Sequence, residues 1–140
     1  MNLGRRLAIV GNRDFTNYKQ LCEYLDEICE RGDTIVSGGA VGAESLAQRY
    51  ARERGLSILV IYPDYAHEGR GAAFARNKRI VENADRVYAF YSFGRFQEGG
   101  TRNTIEWAIK LGVPYIEIEG ENIGAMAEMA IAAVLKTDDG

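Results

Sequence analysis

The segment SGGAVGA, residues 37–43, contains three glycines among small residues, between an apolar run and a stretch with helical spacing. Because glycine has no Cβ, main-chain N–H groups in such a loop can lie against a phosphate, and the dipole of the following helix favours an anion there. The loop is neither a GxGxxG nor a Walker A motif, since no lysine stands at the required place. The pattern predicts a phosphate-binding loop, with close helix–sheet packing as the alternative explanation of the glycines.

A second glycine-rich segment has the same setting further along the chain. Gly99, Gly100 and Thr101 follow the apolar run RVYAFY and precede another helical segment. We expect their main-chain amides to form a second anion site, across the sheet from the first. Two such sites suit a ligand that carries phosphate.

The first apolar run is followed by GNRDFTNY, residues 11–18. Gly11 permits a tight turn, and the Arg13 guanidinium can pair with an anion. The helix that follows has three candidate capping residues, which are Asp14, Thr16 and Asn17. A capped loop with a surface arginine is the alternative explanation of this segment.

Arg76 and Lys78 stand near the expected start of another helix. A helix start prefers acidic side chains, so two basic residues there favour a role toward an external anion. His67 is the only histidine, and no cysteine or histidine cluster lies near it, so the sequence predicts no metal site.

Aromatic residues collect at the same expected edge of the sheet, where one or two of them could stack on a base. Simple packing is the alternative for each. These residues are Tyr62, Tyr65, Tyr91, Phe93 and Phe96.

The elements that must position these residues follow from the hydrophobic pattern. Short β-rich apolar runs alternate with amphipathic segments, and runs too apolar to have a wet face indicate a parallel sheet covered by helices on both faces. The sequence predicts a doubly wound, five-stranded α/β domain whose ligands bind at the carboxyl edge of the sheet. The expected strands are residues 7–10, 34–37, 58–62, 86–91 and 114–118, and the expected helices are residues 18–31, 43–54, 73–82, 103–111 and 123–135. Gly32 is the expected end signal of the first helix.

Length and composition set the class of protein. The 140 residues suit one domain, residues 1–135, with a polar tail at 136–140. Apolar residues make up 46% of the chain and charged residues 26%, and no apolar stretch approaches the roughly 20 residues of a membrane span. We expect a cytoplasmic protein without a membrane partner. The net charge of -3 argues against a general nucleic-acid binder.

The two cysteines fit a reducing compartment. Cys22 and Cys29 are seven positions apart in the first expected helix, which places their Cα atoms about 10 Å apart, too far for a disulfide. Both are expected to be small apolar core residues.

Together the motifs resemble a known family. GNRDF, SGGAVGAESLAQRYARERG, ARNKRIVENADRVYAF and GGTRNTIEWAIKLGVP stand in the order and spacing of the SLOG superfamily of Rossmann-like proteins, over residues 7–118. This superfamily includes the DNA-processing protein A and Lonely Guy groups, and the chain resembles most closely its small stand-alone branch related to the bacterial YspA and YpsA proteins. The resemblance implies a single Rossmann-like domain that binds a nucleotide or a nucleotide derivative.

Carried over residue by residue, the resemblance implies a ligand site and neither a catalytic residue nor a cofactor. The implied binding residues are Gly11, Asn12, Arg13, Ser37, Gly38, Gly39, Ala40, Gly42, Ala43, Glu44, Arg76, Asn77, Gly99, Gly100 and Thr101. Close relatives usually have aspartate where Glu44 stands, so contacts to ribose or base are expected to differ. A first-turn acid that complements the helix dipole is the other explanation of Glu44.

Lonely Guy enzymes, a more distant resemblance, hydrolyse the N-glycosidic bond of nucleoside monophosphates with an arginine and a glutamate. Arg76 matches the arginine, but Thr104 stands at the glutamate position, and Glu106, two residues on, is rotated by about 200° on a helix. Hydrolysis is therefore the alternative function, and DNA binding in the manner of DNA-processing protein A a further one. An emptied scaffold domain is the third alternative.

We expect a sensor or sequestering protein for a phosphorylated nucleoside or signalling nucleotide. We also expect a homo-oligomer, a dimer or tetramer. The apolar face of residues 123–135 is a candidate contact between subunits, or a cover for the sheet.

Overall fold

A computed structural model describes residues 4–122. Within that range the strands are β1 (Arg6–Gly11), β2 (Thr34–Ser37), β3 (Ser57–Val60), β4 (Arg86–Tyr91) and β5 (Tyr115–Glu119). The helices are α1 (Tyr18–Ile28), α2 (Ala43–Arg54), α3 (Tyr65–Glu68), α4 (Ala72–Glu82) and α5 (Gly100–Leu111), with a 3₁₀ turn at Gly69–Gly71 between α3 and α4.

All neighbouring strands are parallel, and their order in the sheet is β3-β2-β1-β4-β5. The chain moves outward from β1 to β3 and then returns to place β4 on the other side of β1. This reversal creates the crevice at the carboxyl ends of β1 and β4 in which doubly wound folds bind ligands. The predicted five-stranded, doubly wound α/β architecture is confirmed.

The core has two layers because successive residues of a buried strand face opposite sides of the sheet. Leu7 and Ile9 of β1 pack with residues of α1 and α2, including Leu21 and Tyr50. Ala8 and Val10 of the same strand pack on the other side with residues of α4 and α5, including Ile80 and Ile105. Helices therefore cover both faces, as the continuous apolar runs predict.

Helix α1 ends earlier than expected. The glycine-based prediction extended it to Arg31, but the helix stops at Ile28, where Cys29 is extended and its amide donates to the Leu25 oxygen. The Glu30 amide instead donates to the Asp33 carboxylate at 2.8 Å. This local turn, in which Arg5 binds the same Asp33 carboxylate at 2.7 Å, takes the chain out of the helix before Gly32.

The expected loop at residues 63–71 contains the short helix α3. Asp64 caps it, since its carboxylate accepts from the His67 amide at 3.2 Å. Helix α5 begins at Gly100, three residues before the expected start. The helix expected at residues 123–135 and the tail at 136–140 lie outside the described residues.

Three further observations concern residues 4–122. No helix in this range is long and apolar enough to cross a membrane. Cys22 and Cys29 are free thiols that pack against the core on the α1 side, and burial raises the pKa of Cys29 to about 11. The same range contains no group of three or more histidine, cysteine or acidic residues placed to hold a metal ion.

Candidate functional site

A cavity of about 660 Å³ lies at the carboxyl ends of the strands. Its volume is within the range of small-molecule sites in proteins. Segments that follow four successive strands of the sheet supply the walls, and the lining residues are Val10, Gly11, Asn12, Arg13, Asp14, Gly38, Gly39, Ala40, Val41, Glu44, Tyr62, Pro63, Tyr65, Ala73, Phe74, Arg76, Asn77, Arg95, Gly99, Gly100, Thr101 and Thr104.

Most residues implied as ligand contacts by the sequence meet at this cavity. The exceptions are Ser37, Gly42 and Ala43, which lie behind the lining. Ser37 is fully buried, and its hydroxyl accepts from the Gly39 amide at 3.2 Å and donates to the Glu44 main-chain oxygen at 3.1 Å. It shapes the loop from within, and the ligand contacts of the other residues stay a prediction.

The start of α5 presents main-chain amides to the cavity. Gly99 has a φ of 77° and no side chain caps the helix, whose first turn contains no acidic residue. Gly100 and Thr101, the first two residues of the helix, both line the cavity. Because the first N–H groups of a helix lack partners within it, this end of the site is suited to an anion.

The start of α2 is different, because the protein's own acceptors occupy the loop after β2. The Ala40 amide donates to Glu44 Oε2 at 3.0 Å, and the Ala43 amide donates to the Asn12 main-chain oxygen at 3.3 Å. The Gly39 amide donates to Ser37, so two of the amides that the sequence assigned to phosphate, those of Gly39 and Ala40, already have acceptors within the protein. The Glu44 carboxylate would also repel a phosphate.

Glu44 and Arg76 form the polar centre of the cavity, and both side chains are largely buried. The Arg76 guanidinium donates to the Gly38 main-chain oxygen through Nη1 and to Asn77 Oδ1 through Nε. Burial raises the pKa of Glu44, while the charge of Arg76 and the amide of Ala40 oppose that rise. Arg76 thereby ties α4 to the loop after β2 and partly neutralises the carboxylate.

Gly38 is required by this pair. A Cβ at position 38 would lie 2.6 Å from Arg76 Nη1 and 2.8 Å from Glu44 Oε1. The glycine therefore makes room for two side chains of the protein.

Asn12 joins three parts of the site. Its Nδ2 donates to the Glu98 main-chain oxygen at 3.1 Å, and its Oδ1 accepts from the Ser92 amide at 2.8 Å. Its main-chain oxygen accepts from Ala43 at the start of α2. Because both ends of the side-chain amide are engaged, Asn12 holds these segments of the site together, and its contact with a ligand stays a prediction.

Asn77 has a similar role on the other side. Its Nδ2 donates to Asn103 Oδ1 at 3.1 Å and to the Gly100 main-chain oxygen at 3.4 Å. These bonds, with the Arg76 contact, hold α4 against the start of α5.

Two arginines at the rim differ in their commitments. Among the described residues no carboxylate forms an ion pair with Arg13. Arg95 binds Asp14 at 2.7 Å and Glu98 at 3.0 Å. The Ser92 hydroxyl and then Arg95 hold the pKa of Asp14 below its usual value. Arg13 is therefore the rim cation with charge left for a ligand.

The aromatic residues separate into two groups. Tyr62 and Tyr65 line the cavity with exposed rings, as does Phe74, which the sequence analysis did not single out. Tyr91 is a core residue that packs against Phe96 at a ring-centroid distance of 5.2 Å. Base stacking thus stays open for the first group, and Tyr91 has a packing role.

Two other lining residues were missed as site residues. Arg95 stands in FGRFQEGG, directly before the second glycine pair, and that proximity was the available signal. Thr104 is buried at the cavity wall, whereas Glu106 is exposed and lies 3.9 Å from Arg102, away from the lining. The rotation of Glu106 out of the site, expected from helix geometry, is confirmed.

Comparisons with known proteins concern the family and the fold of the chain. A family model for the YspA, cpYpsA-related SLOG family matches residues 5–67. The Gene 61 protein of Mycobacterium phage D29 is 30% identical over 120 residues, which cover 80% of this chain and 94% of the phage protein.

Two solved structures share the fold. DNA processing protein A (DprA) from Streptococcus pneumoniae has a TM-score of 0.69 at 17% identity, over 95% of this chain and 56% of that chain. The structural-genomics target TM1055 has a TM-score of 0.60 at 22% identity, over 79% of this chain and 72% of that chain. The chain thus spans little more than half the length of DprA.

Proposed function

The chain belongs to the YspA, cpYpsA-related SLOG family, and we propose that it binds a phosphorylated nucleoside, or a signalling nucleotide built from one, as a sensor or sequestering protein. The observation that carries the proposal is the start of α5, which no side chain caps, together with Arg13, which forms no ion pair with any described residue. Both line a cavity of about 660 Å³. The proposed site is the carboxyl edge of the Rossmann-like sheet.

The phosphate is assigned to the α5 end. Amides of Gly100 and Thr101 supply donors, the helix dipole supplies positive potential, and Arg13 supplies a full charge. The α2 end is not assigned phosphate, since the Glu44 carboxylate already accepts from the Ala40 amide in the loop before α2.

The sugar is assigned to Glu44. A carboxylate accepts hydrogen bonds only, and ribose hydroxyls are donors of the matching kind. Arg76 keeps the carboxylate in place and moderates its charge. The two ends of the site therefore differ in sign, which favours a ligand with phosphate at one end and hydroxyl groups beyond it.

Isothermal titration calorimetry with the four nucleoside monophosphates, and with cyclic dinucleotides, tests the proposal. Arg13→Ala should weaken binding of the preferred nucleotide by about 1.5–3 kcal/mol, the range for hydrogen bonds to charged groups. Arg52→Ala, which removes an exposed arginine of α2 outside the cavity, is the matched control and should leave affinity unchanged. Absence of binding by the unmodified protein would refute the proposal.

Hydrolysis of the N-glycosidic bond is a second candidate because Glu44 places one buried carboxylate inside the cavity. In that reaction water adds to the anomeric carbon of the ribose and the base departs with a proton. Chromatography of the nucleotide after incubation with the protein decides between the two. Intact nucleotide indicates a binder, and free base with ribose phosphate indicates a glycosidase.

A further inference from the structure

Exposed aromatic rings concentrate between the end of β3 and the first turn of α4. Tyr62, Tyr65 and Phe74 all line the cavity, and their relative exposures are 65%, 62% and 55%. Large rings exposed at the wall of one concave site point to a ligand with an apolar face of its own.

The Tyr62 ring lies close against the main chain of Gly39. A Cβ at position 39 would lie 2.5 Å from Tyr62 Cε1, 2.9 Å from its Cδ1 and 3.2 Å from Val60 Cγ1. Gly39, whose φ is +76°, therefore lets the ring approach the loop after β2 more closely than any side chain would allow.

The sheet fixes the main chain on either side of this contact. Ser37 pairs with Val60, and the Ile61 amide donates to the Ser37 oxygen at 2.8 Å, one residue before Tyr62. The main chain next to Tyr62 is thus held in place before any ligand arrives, which lowers the ordering cost of binding.

The strand order places three different chemistries along one edge. Tyr62 follows β3, Glu44 belongs to the segment after β2, Arg13 follows β1, and the α5 amides follow β4. Three strand spacings separate β3 from β4, which is about 14 Å. An aromatic group, a hydrogen-bond acceptor and an anion site therefore succeed one another in a line.

We propose that Tyr62, seated against Gly39, is the stacking platform for the base of the ligand, which lies with its base toward β3 and its phosphate toward α5. This inference rests on the proposed function and deepens it, since it assigns the aromatic end of the same site. Tyr65 and Phe74 line the same cavity.

Two probes that differ only by the base isolate the stacking contribution. Calorimetry compares the preferred nucleoside monophosphate with ribose 5-phosphate, using the full chain. Tyr62→Ala should weaken binding of the nucleotide by about 5- to 150-fold, the equivalent of one base–aromatic stack. It should leave the affinity for ribose 5-phosphate unchanged. Tyr62→Phe should retain nucleotide affinity, because the ring remains.

Phe93→Ala is the matched control. Phe93 is as exposed as the cavity aromatics, at 57%, but lies outside the lining, so its removal should change neither affinity. Thermal melts of each variant establish that the fold is retained.

The outcomes separate this inference from the proposed function. The stacking role of Tyr62 is overturned if Tyr62→Ala binds the nucleotide as tightly as the unmodified protein does. It is also overturned if the variant loses affinity equally for the nucleotide and for ribose 5-phosphate. If the unmodified protein binds ribose 5-phosphate as tightly as the nucleotide, the platform fails while the phosphate site stands. If it binds neither probe, the proposed function fails and this inference with it.

Discussion

The side-chain amide of Asn12 lies 3.1 Å from the main-chain oxygen of Glu98, a residue 86 positions away in the sequence. The opposite end of that amide accepts from Ser92. One residue after β1 therefore holds both ends of the loop that leads from β4 to α5. The orientation of the α5 amides toward the cavity is set by the protein itself.

Asn12→Ala should destabilise the fold by about 1–3 kcal/mol, because it leaves the Ser92 amide and the Glu98 oxygen without their partner. Urea unfolding followed by circular dichroism measures the change. Lys19→Ala, at a side chain that is 87% exposed, should stay within about 0.5 kcal/mol of the unmodified protein. Equal stability of the two variants would contradict the positioning role of Asn12.

Gly42→Ala should be more destabilising than Gly55→Ala. Gly55, with φ 69° and ψ 27°, is in the left-handed region, which costs an L-residue about 1–2 kcal/mol. Gly42, with φ 94° and ψ -136°, is outside that region, where residues other than glycine are rarer still. A Cβ at Gly42 would also lie 2.2 Å from the Asn12 main-chain oxygen, whereas one at Gly55 meets nothing within 4 Å. The difference between the two unfolding free energies measures the backbone strain at Gly42 together with the close approach of α2 to the loop after β1, and no difference would refute both.

Asp33→Asn should remove part of the acid sensitivity of the fold. Burial acts to raise the pKa of Asp33, but hydrogen bonds from Arg5 and from the Glu30 amide outweigh it and hold the pKa below the ordinary value. Stability from this carboxylate is thus complete above about pH 4 and is lost as pH falls through the lower folded-state pKa.

At neutral pH the Asp33→Asn variant should be less stable by about 1.5–3 kcal/mol, since it weakens charged hydrogen bonds to Arg5. Unfolding free energies measured from pH 2 to pH 7 supply the test. A parallel pH profile for variant and unmodified protein would show that Asp33 is not responsible.

Glu44→Gln should change the pH profile in the opposite sense. Burial raises the pKa of Glu44 in the fold, so the folded state binds a proton more tightly than the unfolded chain. Stability is therefore lost as pH rises from about 4.3, the ordinary glutamate value, through the raised pKa. The variant should lack this decline, and Glu106→Gln, at an exposed side chain, should keep it. A decline that persists in Glu44→Gln would contradict the prediction.

Local sequence predicts the elements best where hydrophobic pattern and end signals agree. The bounds of β2, α2 and β4 match the expected ones, and α2 ends at Gly55 in the left-handed conformation. The end of α1 was missed because Asp33, fixed by Arg5, takes the Glu30 amide. Arg5 comes from a different part of the chain, so helix propensity alone does not predict this early end of α1. Helix α3 had a local signal, the capping carboxylate of Asp64, which the proline-containing loop obscured.

The site was predictable as a set of loops but not as a distribution of charge. Strand ends and glycines identify the edge of the sheet, because parallel strands bring their carboxyl ends together. The Glu44 carboxylate accepts from the Ala40 amide and lies within the field of the Arg76 charge, which comes from another crossover. The sequence therefore indicated two equivalent anion sites, whereas in the structure the first turn of α2 contains the Glu44 carboxylate and the first turn of α5 contains no acidic residue.

The hydrogen-bonded strands fix the distances between groups along the carboxyl edge of the sheet. Strands β3, β2, β1 and β4 lie side by side in the sheet, each paired with the next. The main-chain distance from Tyr62 to the α5 amides therefore does not change when a loop side chain moves. A free base is long enough to reach only the Tyr62 end of that distance, and inorganic phosphate only the α5 end. For the proposed nucleotide we therefore expect selection by length as well as by chemistry, because the backbone of the sheet sets the distance between the two proposed contacts.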